Sequence, residues 1–117
     1  MQRNEYFEKC IEDRKALVEE FTRGAYRACE AYMDSKNRGS DILEVYSTIW
    51  DNEVVDFVKT LRTAGVDEFA ITQRSTNLID LAVALESQGC VLKGTVAVVR
   101  RNDYNEIANG LKFRGIG

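Results

Sequence analysis

Histidine and proline are both absent from this 117-residue chain. Losing histidine removes the commonest general base, the commonest metal ligand and every Ser–His or Cys–His nucleophile arrangement. Without proline, no helix is broken from within by a missing amide donor. Cys10, Cys29 and Cys90 are odd in number and far apart, with no CxxC pair. They make neither a disulfide framework nor a zinc or thiol-redox motif, and read as free thiols packed as small apolar groups. No apolar run approaches the roughly 20 residues that a membrane span needs. The first fifteen residues, MQRNEYFEKCIEDRK, are charged throughout and lack the apolar stretch of a secretory signal. A cytoplasmic protein without metal or cofactor is the expectation.

What is present suits one modest core. Apolar residues make up 44% and charged residues 30% of the chain, ordinary values for a globular domain. The net charge of −3 is unevenly spread. Residues 1–38 carry eight Lys or Arg against eight Asp or Glu; residues 39–89 carry three against nine, and residues 90–117 five against two. An acidic middle and a basic end follow, suited either to internal pairing or to two different surfaces.

The chain divides by periodicity into a long helix with a hinge (1–38), a second helical segment (39–65) and a β-α-β-β unit (66–117), all within one domain. Positions 7, 11, 14, 18, 21, 25, 28 and 32 step by four and three, a heptad seam with Arg14 as intruder, so the first helix is expected to be long and amphipathic. Its stripe packs either on the rest of the domain or on a copy of itself, as a homodimer. Asn4 caps its start, and Gly24 marks a weak point or a close approach by a neighbour. SKNRGS at 35–40 is the clearest break, with Gly39 placed for a helix end. Asp41 followed by Glu44 reads as a capping box opening the second helix, which kinks or restarts near Asp51 and closes at Gly65.

Residues 66–73, VDEFAITQ, predict a strand. Ser75 or Thr76 then caps a helix around LIDLAVAL that is apolar on nearly every side, so it should be covered from two directions. Residues 90–99, CVLKGTVAVV, read as a central strand, 104–110 as a loop or single turn, and LKFRGI as a returning strand. The fold class is α+β: two N-terminal helices packed on a small β-α-β-β sheet unit. If the strands flanking the last helix are adjacent and parallel, their crossover is right-handed.

Three constellations are candidates for function. The acidic positions Asp41, Glu44, Asp51, Glu53 and Asp56 form a negative helical surface for a basic partner; a solvated helix face explains the same letters. Trp50 and Tyr46 on that segment suit an interface anchor or core packing. Arg74, Ser75 and Thr76, at a strand-to-helix turn, could hold an anion, although no glycine allows a phosphate close approach and no phosphate-loop pattern is matched. Arg100, Arg101, Lys112 and Arg114 on the C-terminal hairpin, near aromatics, make a nucleic-acid surface; the acidic sequence pI near 5.0 argues against it.

One resemblance bears on context. Ala64 and Gly65 at a helix end, Phe69 to Thr72 on a strand, Ser75 and Thr76 at a helix start, Gly89 at its end and Lys93 with Gly94 on the next strand resemble small, mostly uncharacterised bacterial proteins carried on mobile elements. The likeness covers about a third of the chain and carries over no catalytic residue. It implies an accessory protein that binds and blocks a host protein or complex, such as a CRISPR–Cas defence nuclease. The leading expectation is thus a non-enzymatic protein-binding module, an inhibitor acting through the acidic surface. The alternative is a nucleic-acid-binding accessory protein using the basic hairpin.

Overall fold

In the computed structural model, which describes residues 3–12, 22–47, 49–102 and 104–115, the chain is α+β, with helices and a four-stranded mixed sheet. Helix α1 spans Glu5–Glu12, and the Asn4 side chain accepts from Phe7 N–H at 3.2 Å, the cap anticipated from the sequence. Helix α2 spans Arg23–Arg38. The expected single long helix is therefore not continuous: a separate helix starts after Thr22. Thr22 has extended backbone (φ −71°, ψ 163°) and its hydroxyl accepts from Ala25 N–H, which starts a new helix there. Seam positions Arg14, Val18 and Phe21 lie outside the described residues. Phe7 of α1 stacks on Tyr32 of α2 at 4.9 Å, and both rings are fully buried. The stripe of α1 thus finds its cover inside the chain.

Gly39 ends α2 in the left-handed region (φ 68°), as its place in SKNRGS suggests. The second helical segment does not begin at Asp41. Among the described residues of 41–50 none is helical, and two form a short strand, β1 (Glu44–Val45). The supposed capping box fails because both its groups are engaged elsewhere. Glu44 N–H donates to Ser35 Oγ at 2.9 Å, and the Asp41 carboxylate accepts from Val99 N–H at 3.3 Å. Helical structure resumes with a 3₁₀ turn (Asp51–Glu53) leading into α3 (Val54–Thr63). Val54, Phe57, Val58 and Leu61 of α3 point into the core at helical spacing.

Strand β2 (Glu68–Ile71), helix α4 (Leu78–Ser87), β3 (Cys90–Arg100) and β4 (Glu106–Gly115) complete the fold. The strand order is β1-β2-β4-β3, with β1 parallel to β2 and β4 antiparallel to both its neighbours. The strands flanking α4 therefore run the same way, but β4 separates them. Residues 106–109, expected in a loop or turn, belong to β4 because they pair with residues 97–100 of β3. Side chains alternate between two faces. Phe69, Ile71, Leu111 and Phe113 share one face; Phe69 stacks on Phe113 at 5.9 Å and meets Phe57 of α3 edge-on at 5.7 Å. Burying each such ring contributes roughly 1.5–3 kcal/mol.

Helix α4 departs from expectation. Leu81 and Leu85 are buried, but Ile79 and Val83 are 79% and 59% exposed, so the helix is covered from one side only. Its cap position is Asn77, not Ser75 or Thr76.

Gly24 sits where α2 crosses the start of α3. A Cβ there would lie 2.2 Å from the Glu53 carbonyl oxygen and 2.8 Å from Phe57 N, so the crossing requires glycine. On an exposed helix Gly→Ala would stabilise by about 1 kcal/mol. Here the clash is with backbone, which cannot rotate away. Gly24→Ala is expected to destabilise the protein by about 1–3 kcal/mol in urea titration; a stabilised variant would contradict this packing.

Candidate functional site: an internal ion pair and an exposed aromatic turn

Of the five expected acidic surface residues, the structure places two inside. Glu44 has no exposed surface. Arg100 of β3 grips its carboxylate with two bonds, Nε to Oε1 at 2.7 Å and Nη2 to Oε2 at 2.8 Å. Ser40 donates to Oε1 at 2.7 Å and Thr72 to Oε2 at 2.6 Å. Those four bonds take up the roughly four lone-pair sites of a carboxylate, which leaves none for a substrate proton or a metal. Burial alone would push the Glu44 carboxyl up; the bonds from Arg100, Thr72 and Ser40 outweigh it and hold the carboxyl below its usual range.

Arg100 is correspondingly withdrawn from the hairpin surface on which sequence reasoning put it. It is 7% exposed, and Glu106 also approaches it at 3.4 Å. Tyr46 lies over it, the ring centroid 5.2 Å from the Arg100 guanidinium carbon and 3.7 Å from that of Arg38. Glu53 is likewise buried: it accepts from Trp50 N–H at 3.0 Å and pairs with Arg27 at 3.3 Å. The acidic helical face expected from positions 41, 44 and 51 is therefore not formed. Asp41 and Asp51 are exposed, Asp56 is half-buried, and they lie on separate segments.

On the basic end, Arg101 and Arg114 are exposed, while Lys112 pairs with Glu68 at 3.0 Å. With Arg100 internal and Lys112 neutralised, two of the four expected nucleic-acid cations are engaged within the chain. At the strand-to-helix turn, Arg74 and Thr76 are exposed and Ser75 is half-buried. The polar groups there bind their own chain. Gln73 accepts from Ile49 N–H at 3.0 Å and donates to Ser75 Oγ at 2.9 Å, and Asn77 donates to the Ile49 carbonyl at 2.8 Å. This welds the loops after β1 and β2 to one another and takes up Gln73, Ser75 and Asn77, while Arg74 and Thr76 stay on the surface.

That weld fixes a surface the sequence left undecided. Ile49 is buried, but Trp50, next in the chain, is 53% exposed. The 3₁₀ turn holds it through the bond between its backbone N–H and Glu53, itself anchored by Arg27 of α2. Val55 on α3 and Tyr26 on α2 are each more than half exposed. The contact at Gly24 brings the start of α2 to the start of α3, and Trp50, Asp51, Val55 and Tyr26 are exposed positions on the segments that meet there. No local signal separates Trp50 from a core tryptophan, since apolar Ile49 and Val54 flank it and both are buried.

Among the described residues, no group of three or more His, Cys, Asp or Glu side chains is placed to hold a metal ion, and no helix is long and apolar enough to cross a membrane. Fold and surface together define a small α+β domain with a locked polar interior and exposed aromatic and apolar positions. Residues 27–115 match the model of a family described as a domain of unknown function (DUF7698), and the chain belongs to that family. The match includes both Glu44 and Arg100. No curated protein and no solved structure matches the chain.

The ion pair has a pH signature. A carboxyl held below its usual value of 4.5 contributes stability that is complete above that value and lost as pH falls through the lower, folded-state one. Replacing Glu44 with glutamine leaves the buried Arg100 with only the longer Glu106 contact as counter-charge, a loss of about 3–5 kcal/mol at neutral pH. Urea titrations from about pH 7 to about pH 3 should show wild-type stability falling on the acid side, and a shallower fall for Glu44→Gln. Equal slopes would mean that Glu44 is not the titrating group.

Proposed function

We propose that the protein is a non-enzymatic binding module that recognises another protein through the surface centred on Trp50. The observation that carries this reading is the half-exposed tryptophan on a turn fixed from below. Aromatic side chains held rigidly and ringed by polar groups are the usual anchors of protein interfaces, because little side-chain entropy is lost on docking. Tyr26 and Val55 are further exposed apolar positions on the two helices that meet at Gly24, and Asp51 and Asp56 add negative charge on the turn after Trp50 and on α3. The sequence contains no histidine, and the deepest carboxylate already accepts its full set of bonds, so the chain offers little general-base equipment.

The partner class we favour is a host protein or complex with a basic surface, such as a nucleic-acid-handling defence nuclease. Two things support it: the carboxylates beside Trp50, and the resemblance to mobile-element proteins that block such hosts. The acidic contribution rests on Asp51 and Asp56, since Glu44 and Glu53 are internal.

Trp50 is the single tryptophan, so its emission reports on this surface alone. Partner protein captured from host lysate is expected to shift that emission to the blue. Trp50→Ala should weaken capture at least about tenfold, while stability changes by less than about 0.5 kcal/mol. Asp51→Lys with Asp56→Lys should weaken it further and reduce its salt dependence. Capture unaffected by Trp50→Ala would rule this surface out.

A further inference from the structure

A sheet face in water is covered by another layer or lined with polar groups. The face that carries Phe113 meets this condition only in part. Further along β4, alternation puts Asn109 and Ile107 on that face, and their cross-strand partners on β3 are Ala97 and Val99, with Thr95 opposite Leu111. None of these six residues is charged. Thr95, Ala97, Ile107 and Asn109 are exposed, Ile107 at 69%. Helix α4 packs against the start of this hairpin and turns Ile79 and Val83, one helical turn apart, outward. Among the described residues, the molecule thus carries an uncharged sheet face that no helix covers and an apolar helix face that no sheet covers.

The charges bordering the two faces have opposite signs. Asp80 and Glu86 are exposed on α4, and Lys93 and Arg101 are exposed on and just beyond β3. Among the described residues, none of these four takes part in an ion pair within the chain.

We propose that a second copy of this chain covers these faces, forming a two-fold dimer in which α4 of each copy seats Ile79 and Val83 on the hairpin face of the other. A two-fold interface must be complementary to itself. Here the helix of one copy meets the sheet of the other in both directions at once. The same rotation sets the carboxylates bordering α4 against the cations bordering the hairpin. Faces serve better than strand edges for this association. Residues 39–41 already pair with the end of β3 through the Asp41 N–H to Val99 carbonyl and Arg101 N–H to Gly39 carbonyl bonds. On the rest of that edge, the exposed Lys93 and Gly94 (φ 113°) form a register break of the kind that discourages strand addition.

Sedimentation equilibrium on the full chain tests this. The expected mass is twice 13.3 kDa at micromolar concentration. Ile79→Glu and Ile107→Glu replace exposed side chains, so circular dichroism should be unchanged, and each should raise the dimer dissociation constant at least about tenfold. Asp80→Lys with Glu86→Lys should also weaken the dimer, and adding Lys93→Glu with Arg101→Glu should restore part of it. A wild type that stays monomeric at its solubility limit overturns the proposal, as does a dimer indifferent to both Ile79→Glu and Ile107→Glu.

Discussion

The bidentate bond between Glu44 and Arg100 joins the two ends of the sheet. In strand order β1 and β3 are the outermost strands, with β2 and β4 between them. Yet residues 39–41 pair with the end of β3, and only two residues separate them from β1, beside β2. A flat sheet cannot satisfy both pairings, since three strand spacings of about 4.8 Å exceed the reach of so short a connection. The sheet must curl until its edges meet, and Glu44 and Arg100 face one another inside the curl. Thr72 of the loop after β2 and Ser40 of the connection complete the cluster, while Ser35 ties the backbone of Glu44 to the last turns of α2. Removing Arg100 would leave Glu44 buried and unpaired, and removing Glu44 would leave Arg100 with only the longer contact to the half-exposed Glu106, in each case a larger cost than the pair's net contribution.

The curl also decides which surfaces are finished and which are not. On the inner face Glu44, Ala70, Thr72, Val98 and Arg100 are buried with their polar groups engaged. On the outer face α3 and α4 cover the half nearest β2, centred on Phe69 and Phe113, while the far half of the β3–β4 hairpin extends past them. The outward side chains of α4 and the aromatic positions around Trp50 are likewise uncovered. Among the described residues, no buried side-chain nitrogen or oxygen lacks a partner, so the unfinished groups of the molecule lie on these surfaces. They differ in character: the first is uncharged with opposite-sign borders, the second aromatic with carboxylates beside it.

How far this was legible follows from the range of the interactions involved. Local signals were readable. Gly39 and Gly65 end helices with positive φ, Asn4 caps α1, and Gly24 marks a close crossing. The α3 stripe and the strands through Phe69 and Val98 follow from short periodicities. What failed was decided at a distance. The Asp41 and Glu44 pair is a sound capping box on paper, but the carboxylate of Glu44 is claimed by a guanidinium 56 residues away and its amide by Ser35. Residues 106–109 look like a polar turn and become strand only because β3 is long enough to pair with them. Five acidic positions within sixteen residues suggested one surface. Two of them, Glu44 and Glu53, meet arginines from β3 and α2 instead, which no spacing along the chain could disclose. The uncovered side of α4 escaped notice for the opposite reason, since an apolar helix is ordinarily buried all round.

The closure of the sheet by Glu44 and Arg100 is tested most directly by a double-mutant cycle. Glu44→Gln, Arg100→Met and the combined variant would be compared with wild type by urea denaturation at neutral pH. If the two side chains are the clasp described here, each single change is strongly destabilising and the pair is non-additive, with a coupling energy of about 2–3 kcal/mol. Additive effects, with a coupling energy within about 0.5 kcal/mol of zero, would show that the two charges act independently and that something else holds the sheet closed.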